Sequence, residues 1–295
     1  MSTTEQRGTP RRGTTPSSSA GAAQAGRPPA PGTRTRHRTA WIIVAFIGAL
    51  LVVVPCAYWT TADAVSESAA YQSPDNGRAH PVSAVAVDAG SARITITTGA
   101  RDRVTMNGKL TWSRKRPEVE RTWEGDTLTV RTRCVGFVDR YVQNCQVELD
   151  LAIPAGTRLK VRSGSGEVTL RELSGPVDVE SGSGPVKLTG LTGTVRAKAG
   201  SGEIRASRLA SPNVTLTTGS GAMSIAFSAP PRQVTARAGS GSVTVTVPEG
   251  TRYRVGGRSG SGSRTIQDEL IDTASDRSLD ITTGSGSASI GHPGF

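Results

Sequence analysis

The chain has 295 residues, only 4% of them aromatic, with 35 glycines and 17 prolines, a composition that excludes the thick core of an ordinary enzyme domain and leaves a thin interior of Val, Leu, Ile and Ala. The formal net charge is +11, but seven of the arginines (Arg7, Arg11, Arg12, Arg27, Arg34, Arg36 and Arg38), set against Glu5 alone, crowd into residues 1–40. That split speaks against nucleic acid as a partner, because phosphate binding needs cations clustered on a folded surface, with aromatic side chains for single strands.

Residues 1–40 consist largely of Ser, Thr, Pro, Gly, Ala and Arg without apolar periodicity, so they cannot bury enough surface to offset the entropy of ordering them. They are expected to form a disordered basic cytoplasmic tail. From Trp41 to Trp59 runs WIIVAFIGALLVVVPCAYW, free of charge; as a helix it spans about 28 Å, close to the hydrocarbon thickness of a bilayer. Arg34, Arg36 and Arg38 precede it, and the next Lys or Arg is Arg78. The positive-inside rule therefore predicts a single transmembrane helix over 41–59, acting as a signal anchor with the N-terminus cytoplasmic and the C-terminal part extracellular in the cell membrane. A cleaved secretory signal ending near Ala62-Asp63-Ala64 is the alternative, although the polar region ahead of the apolar core and the length of that core fit an anchor better. Residues 60–81 read as an extracellular linker and 82–295 as the ectodomain.

The ectodomain opens on short runs that alternate apolar and polar residues: Val85 and Val87, Ile94 and Ile96, Leu128 and Val130, then Val147, Leu149, Leu151 and Ile153. Period two marks strands with one buried face, and these larger strands are expected to cap a stack built from the rest of the ectodomain. Cys134 and Cys145 lie between two such runs on the outer side of the membrane segment, which makes a disulfide closing the intervening loop the natural inference, contributing about 3 kcal/mol.

After Ile153 the same octet recurs: SGSGEVTL, SGSGPVKL, AGSGEIRA, TGSGAMSI, AGSGSVTV, SGSGSRTI and TGSGSASI. Its glycine pairs are Gly164 and Gly166, Gly182 and Gly184, Gly200 and Gly202, Gly219 and Gly221, Gly239 and Gly241, Gly260 and Gly262, and Gly284 and Gly286. A period near twenty residues marks a solenoid. Each repeat carries two alternating segments, such as Val168 and Leu170, then Val177 and Val179, which gives two strands per coil. One coil cannot bury enough apolar surface to fold alone, whereas stacked coils share a buried face and pair strand with strand. The glycine pairs are read as corners where positive φ or close backbone approach is needed. In-register parallel stacking would set Asp178 beside Arg196 and Glu180 beside Lys198, opposite charges on adjacent coils, with Lys187 and Arg205 as like-charged neighbours. Arg264 occupies an inward position and Ala288 is small, as suits terminal coils. The predicted fold is thus all-β: a β-solenoid or β-helix-like stack of coils of about 20 residues, preceded by one transmembrane helix and a disordered tail, and stacked in chain order.

No constellation for chemistry emerges. His37, His80 and His292 sit in the tail, the linker and the C-terminus; each Gly-Ser-Gly leads into a strand, not into the helix a dinucleotide loop requires; and calcium-binding turns would need Asp where these have Ser. No enzymatic activity, cofactor or metal is expected. The Ser and Thr residues read as outward-ladder and corner residues.

The segments Asp88-Ala89-Gly90-Ser91, Gly125-Asp126-Thr127-Leu128-Thr129-Val130 and Ile153-Pro154-Ala155-Gly156-Thr157, followed by the octets, resemble the bacterial DUF4097 family of adhesin-like β-strand-repeat proteins over residues 82–295. The resemblance implies a β-solenoid on the outer face of the cell membrane and carries over no catalytic residues. The function expected is that of an adhesin or cell-envelope-binding module, with cell-wall polymer or another envelope protein as partner. An accessory or sensing component of an envelope-stress system, or a passive structural spacer, is the alternative.

Overall fold

The structure, a computed structural model, describes residues 36–62, 66–76, 78–113, 115–134 and 145–294. The chain divides into two units, Met1–Trp59 and Thr60–Phe295. Helix α1 runs Arg36–Ala62, beginning ahead of the expected Trp41 and taking in residues 36–40 of the expected tail. The rest of that tail, residues 1–35, lies outside the described residues, as do Asp63 and Ala64 of the cleavage-like motif. Side chains on α1 are described over 41–54, and its large apolar residues there are exposed, from 55% at Val54 to 72% at Trp41 and Phe46. Among the described residues no helix is long and apolar enough to cross a membrane. The 41–54 stretch covers only about 21 Å, and the uncharged run continues to Trp59 in sequence alone.

The second unit is built of strands. They begin with β1 (Glu67–Gln72), β2 (Ala84–Asp88), β3 (Arg93–Thr98), β4 (Thr105–Trp112), β5 (Glu118–Glu124), β6 (Thr127–Arg133) and β7 (Cys145–Ile153). The repeats supply β8 (Arg158–Ser163) and β9 (Val168–Arg171), β10 (Val177–Ser181) and β11 (Val186–Thr189), β12 (Val195–Ala199) and β13 (Ile204–Leu209), β14 (Asn213–Ser220) and β15 (Met223–Phe227), β16 (Gln233–Ser240) and β17 (Val243–Thr246). The C-terminal part adds β18 (Arg254–Gly256), β19 (Ser259–Ser261), β20 (Arg264–Ile266), β21 (Ser278–Ser285) and β22 (Ala288–Gly291). Residues 67–72, expected as linker, are therefore a strand, paired antiparallel with β4.

Two sheets face each other, each with 11 strands. The first runs β1-β4-β7-β3-β9-β11-β13-β15-β17-β22-β20, and the second β18-β21-β16-β14-β12-β10-β8-β2-β6-β5, with β19 also on β21. Each coil gives one strand to each sheet. Pairing along the stack is parallel and aligns like positions of successive repeats, so one inward column reads Ile94, Val168, Val186, Ile204, Met223, Val243, Ala288. Facing it, the second sheet contributes Leu128, Val85, Leu159, Val177, Val195, Val214, Val234 and Leu279. Except for Val85, Leu128 and Val177, at 1–3%, and Val195, Val214, Met223 and Ala288, at 1%, these are fully buried. Small β-branched side chains suit the narrow space between two sheets about 10 Å apart.

The order of the coils departs from expectation at both ends. The coil β21–β22, last in sequence, is inserted between β16–β17 and the coil formed by β18, β19 and β20. The coil β2–β3, first in sequence, likewise lies between β6–β7 and β8–β9. The terminal rung is thus the one containing Arg264, and the reason is visible in its side chain. Its backbone aligns with Ala288 in the inward column, yet the residue is exposed and its Nη2 donates to the Gly256 carbonyl at 2.8 Å. A guanidinium can cross the mouth of an apolar interior only where no further rung covers it.

At the other end the stack is closed by antiparallel strands and a polar crossing. β4 joins β7, and β5 joins β6. Between β1 and β2, Asp75 accepts from Arg121 at 2.7 Å, Asn76 bonds the backbone of Met106 in both directions, and His80 stacks on Trp123 with centroids 4.1 Å apart. Edges and ends that could recruit further strands are in this way occupied by charge and side-chain hydrogen bonds.

Candidate functional site

Gly-Ser-Gly corners shape the surface because they let one rung sit on the next. A Cβ built on Gly182 would lie 2.5 Å from the Gly164 carbonyl oxygen, and one on Gly184 would lie 2.0 Å from that of Gly166. The same clash, with the glycine one rung away, recurs at Gly200, Gly202, Gly219, Gly221, Gly239, Gly241, Gly260, Gly262, Gly284 and Gly286. Close approach is the common requirement; among the second glycines of the octets, positive φ is confined to Gly241, Gly262 and Gly286. Gly164 and Gly166 meet Gly90 and Ala92, which extends the column into the N-terminal coil. The first residue of the octet is inward and small. Ser163 and Ser181 are buried, and their hydroxyls donate to the Gly166 and Gly184 carbonyls, each at 2.8 Å. These hydroxyls satisfy the corner internally and leave the outward display to other positions.

That display differs between the two halves of the stack. On the second sheet, Arg131, Asp88, Arg162, Glu180 and Lys198 follow one another in register, alternating in sign, with Lys160, Asp178 and Arg196 beside them. Asp178 and Arg196 are Cα partners, as are Glu180 and Lys198. The ion pair, however, forms elsewhere: Glu180 closes on Arg162, one rung earlier, at 3.1 Å. A carboxylate flanked by two cations can close on only one of them, and the guanidinium is the better geometric match; the shorter Asp178 makes no ion pair among the described residues. Lys187 and Arg205 are Cα partners but diverge, Lys187 to Glu167 at 2.5 Å and Arg205 to Glu203 at 2.8 Å. Toward the C-terminal half hydroxyls enter the display: Thr215 beside Thr235 on the second sheet, where Arg237 and Asp280 remain as an ion pair at 3.3 Å, and Ser224, Thr244, Ser289 and Thr265 in one row on the first.

Cys134 and Cys145 are joined by a disulfide with Cα atoms 6.1 Å apart; the loop it closes, 135–144, lies outside the described residues. Cys145 is the Cα partner of Trp112, over whose ring the Arg116 guanidinium sits 5.6 Å from the centroid. Among the described residues no group of three or more His, Cys, Asp or Glu could hold a metal ion.

The matched family is the one whose repeats these are: the Toastrack DUF4097 family model matches residues 82–229 and, overlapping them, 142–267. The chain belongs to the Toastrack DUF4097 family. A search of curated proteins returned no match. Solved structures similar to this Toastrack chain include a "putative cell adhesion protein" from Clostridium sporogenes, 16% identical with TM-score 0.36 over 77% of this chain and 100% of its own. A "putative adhesin" from Bacteroides fragilis is 10% identical, TM-score 0.42, over 77% and 97% of the two chains. A "putative lipid binding protein" from Parabacteroides distasonis is 15% identical, TM-score 0.41, over 77% and 96%.

Two features of the Toastrack body escape the alternating pattern. Leu173, Leu191 and Leu209 fill the corner opposite the glycines and are buried; their recurrence as Leu-Ser-Gly, Leu-Thr-Gly and Leu-Ala-Ser was the signal available. At the ends of β9, β11 and β13, Glu172, Gly190 and Arg208 all take positive φ, 55°, 66° and 52°. Glu172 reaches across Gly190 to Arg208 at 3.1 Å, through space a Cβ on Gly190 would occupy.

Proposed function

We propose that this chain is a membrane-anchored, outward-facing β-solenoid that binds a polymer of the cell envelope and has no catalytic role. The observation that carries the reading is the C-terminal half of the first sheet's outer face, on which outward hydroxyls repeat from rung to rung. Parallel rungs recur about every 4.8 Å, so a row such as Ser224, Thr244, Ser289 and Thr265 presents evenly spaced hydroxyls to an extended, hydroxyl-rich chain. A rigid scaffold loses little entropy in holding such an array.

Anchoring by α1 is part of the same proposal. The helix has 27 residues, about 40 Å, and its uncharged run Trp41–Trp59 matches a hydrocarbon core of about 30 Å. An apolar helix exposed on all sides in water would forfeit the burial that stabilises ordinary helices. Arginines ahead of the run favour a cytoplasmic N-terminus by the positive-inside rule.

The test is co-sedimentation of the full chain, in detergent micelles, with protein-free cell wall. Retention that survives moderate salt supports the reading; recovery of all the protein in the supernatant at low and moderate salt contradicts it.

A further inference from the structure

The insertion of the last coil opens a cleft. β17, β22 and β20 are neighbours in one sheet, but β17 leads on to β18 in the rung beyond β22, and β20 leads back to β21 in the rung before it. Both connections must step past the C-terminal end of β22. The space between them is a cavity of about 840 Å³ lined by Glu249, Arg252, Gln267, Glu269 and His292 along with Thr251, Pro293 and main chain. Crevices at the carboxyl ends of parallel strands, where chain order switches, are where open sheets commonly hold ligands.

The floor is organised by His292. Its backbone N–H donates to Gln267 Oε1 at 2.9 Å, and its Nδ1 lies 3.1 Å from the Val247 carbonyl oxygen; in the tautomer that donates from Nδ1, Nε2 is an acceptor. Gln267 in turn donates to Glu269 at 3.2 Å. Among the described residues neither carboxylate nor Arg252 has an ion pair, unlike the smaller depression of about 350 Å³ beside the disulfide, where Arg93 is paired to Glu148 at 2.5 Å and to Glu167 at 3.7 Å. Among the described residues the Glu249 carboxylate and the Arg252 guanidinium are thus left unpaired at one volume, with Glu269 taking one hydrogen bond from Gln267. Among the described residues its side-chain lining has no Phe, Tyr, Trp or aliphatic residue other than Pro293, which suits a ligand bound by hydroxyl hydrogen bonds.

Resting on the reading of the chain as a binder of envelope polymer, we propose that this cleft adds a specific glycan subsite to the flat faces: Glu249 and Glu269 accept from sugar hydroxyls, and Arg252 donates to ring or carbonyl oxygens of an oligosaccharide.

The test titrates the full chain in lipid nanodiscs with glycan strands released by amidase from purified cell wall. The variants are E249Q/E269Q and R252A in the cleft and T215A/T235A on the sheet face, with thermal unfolding used to verify that each is folded. Loss of charge-assisted hydrogen bonds should weaken binding at least about tenfold in both cleft variants, and by more than the face variant does. If the parent binds and folded cleft variants bind equally well, the cleft is not the subsite, although the envelope-polymer reading stands. If the parent binds no glycan, both fall.

Discussion

Gly184 shows what a corner residue contributes. With a Cβ only 2.0 Å from the Gly166 oxygen, G184A must push two rungs apart, and we expect a loss of about 2–4 kcal/mol in denaturant unfolding. Gly156 has open space around its Cβ position, so G156A should change stability by no more than about 0.5 kcal/mol. Among the described residues Tyr253 is the largest fully buried side chain, and its hydroxyl has no hydrogen-bond partner. Burial pushes its pKa up to about 12, with Arg277 opposing. Removing an unpaired buried hydroxyl should not destabilise, so Y253F is expected to match or exceed the parent by up to about 1 kcal/mol; a clear drop in thermal stability would mean the hydroxyl has a partner. The hydrogen bond from Lys187 holds the Glu167 carboxyl below its ordinary range, against desolvation. A folded-state pKa below the unfolded one means the contribution is present at neutral pH and lost as pH falls through the folded value. Because both side chains are partly exposed, E167Q should cost no more than about 1 kcal/mol near pH 7. Its gap to the parent should shrink as unfolding is measured down to about pH 3.

At the scale of elements, the disulfide closes a short loop between β6 and β7, and C134S/C145S should lower stability by about 3 kcal/mol, as should reduction of the parent. The two-strand coil is legible because alternation of Val, Leu, Ile and Ala with Thr, Arg and Glu leaves one face to bury, and because glycine pairs recur where rungs touch. In-register stacking is legible from Asp178 and Arg196. Which charges close is not, since Glu180 stands between Arg162 and Lys198 and side-chain reach decides. Leu173, Leu191 and Leu209 escape sequence reasoning because a corner residue points inward outside any period-two pattern. β1 escapes it because Glu67–Gln72 pairs only through β4, a partner far along the chain.

For the whole molecule, the stack locks both of its chain-terminal coils one rung inside its ends, so neither the first nor the last coil is a free edge. Octets of nearly identical sequence carry no information about their spatial order, which is why stacking in chain order is the natural expectation. Arg264 is the clue against it: an inward arginine marks the rung with nothing beyond it, and that rung precedes the last coil in sequence. The most direct test is oxidative cross-linking of cysteine pairs on the outer row of the first sheet, read by peptide mass spectrometry. Thr244 and Ser289 are Cα partners, and so are Ser289 and Thr265, within the reach of a disulfide, whereas Thr244 and Thr265 lie two rungs apart, about 9.6 Å, beyond it. T244C/S289C and S289C/T265C should therefore cross-link within the chain and T244C/T265C should not; efficient cross-linking of T244C/T265C, with none from T244C/S289C, would contradict the interleaved stack.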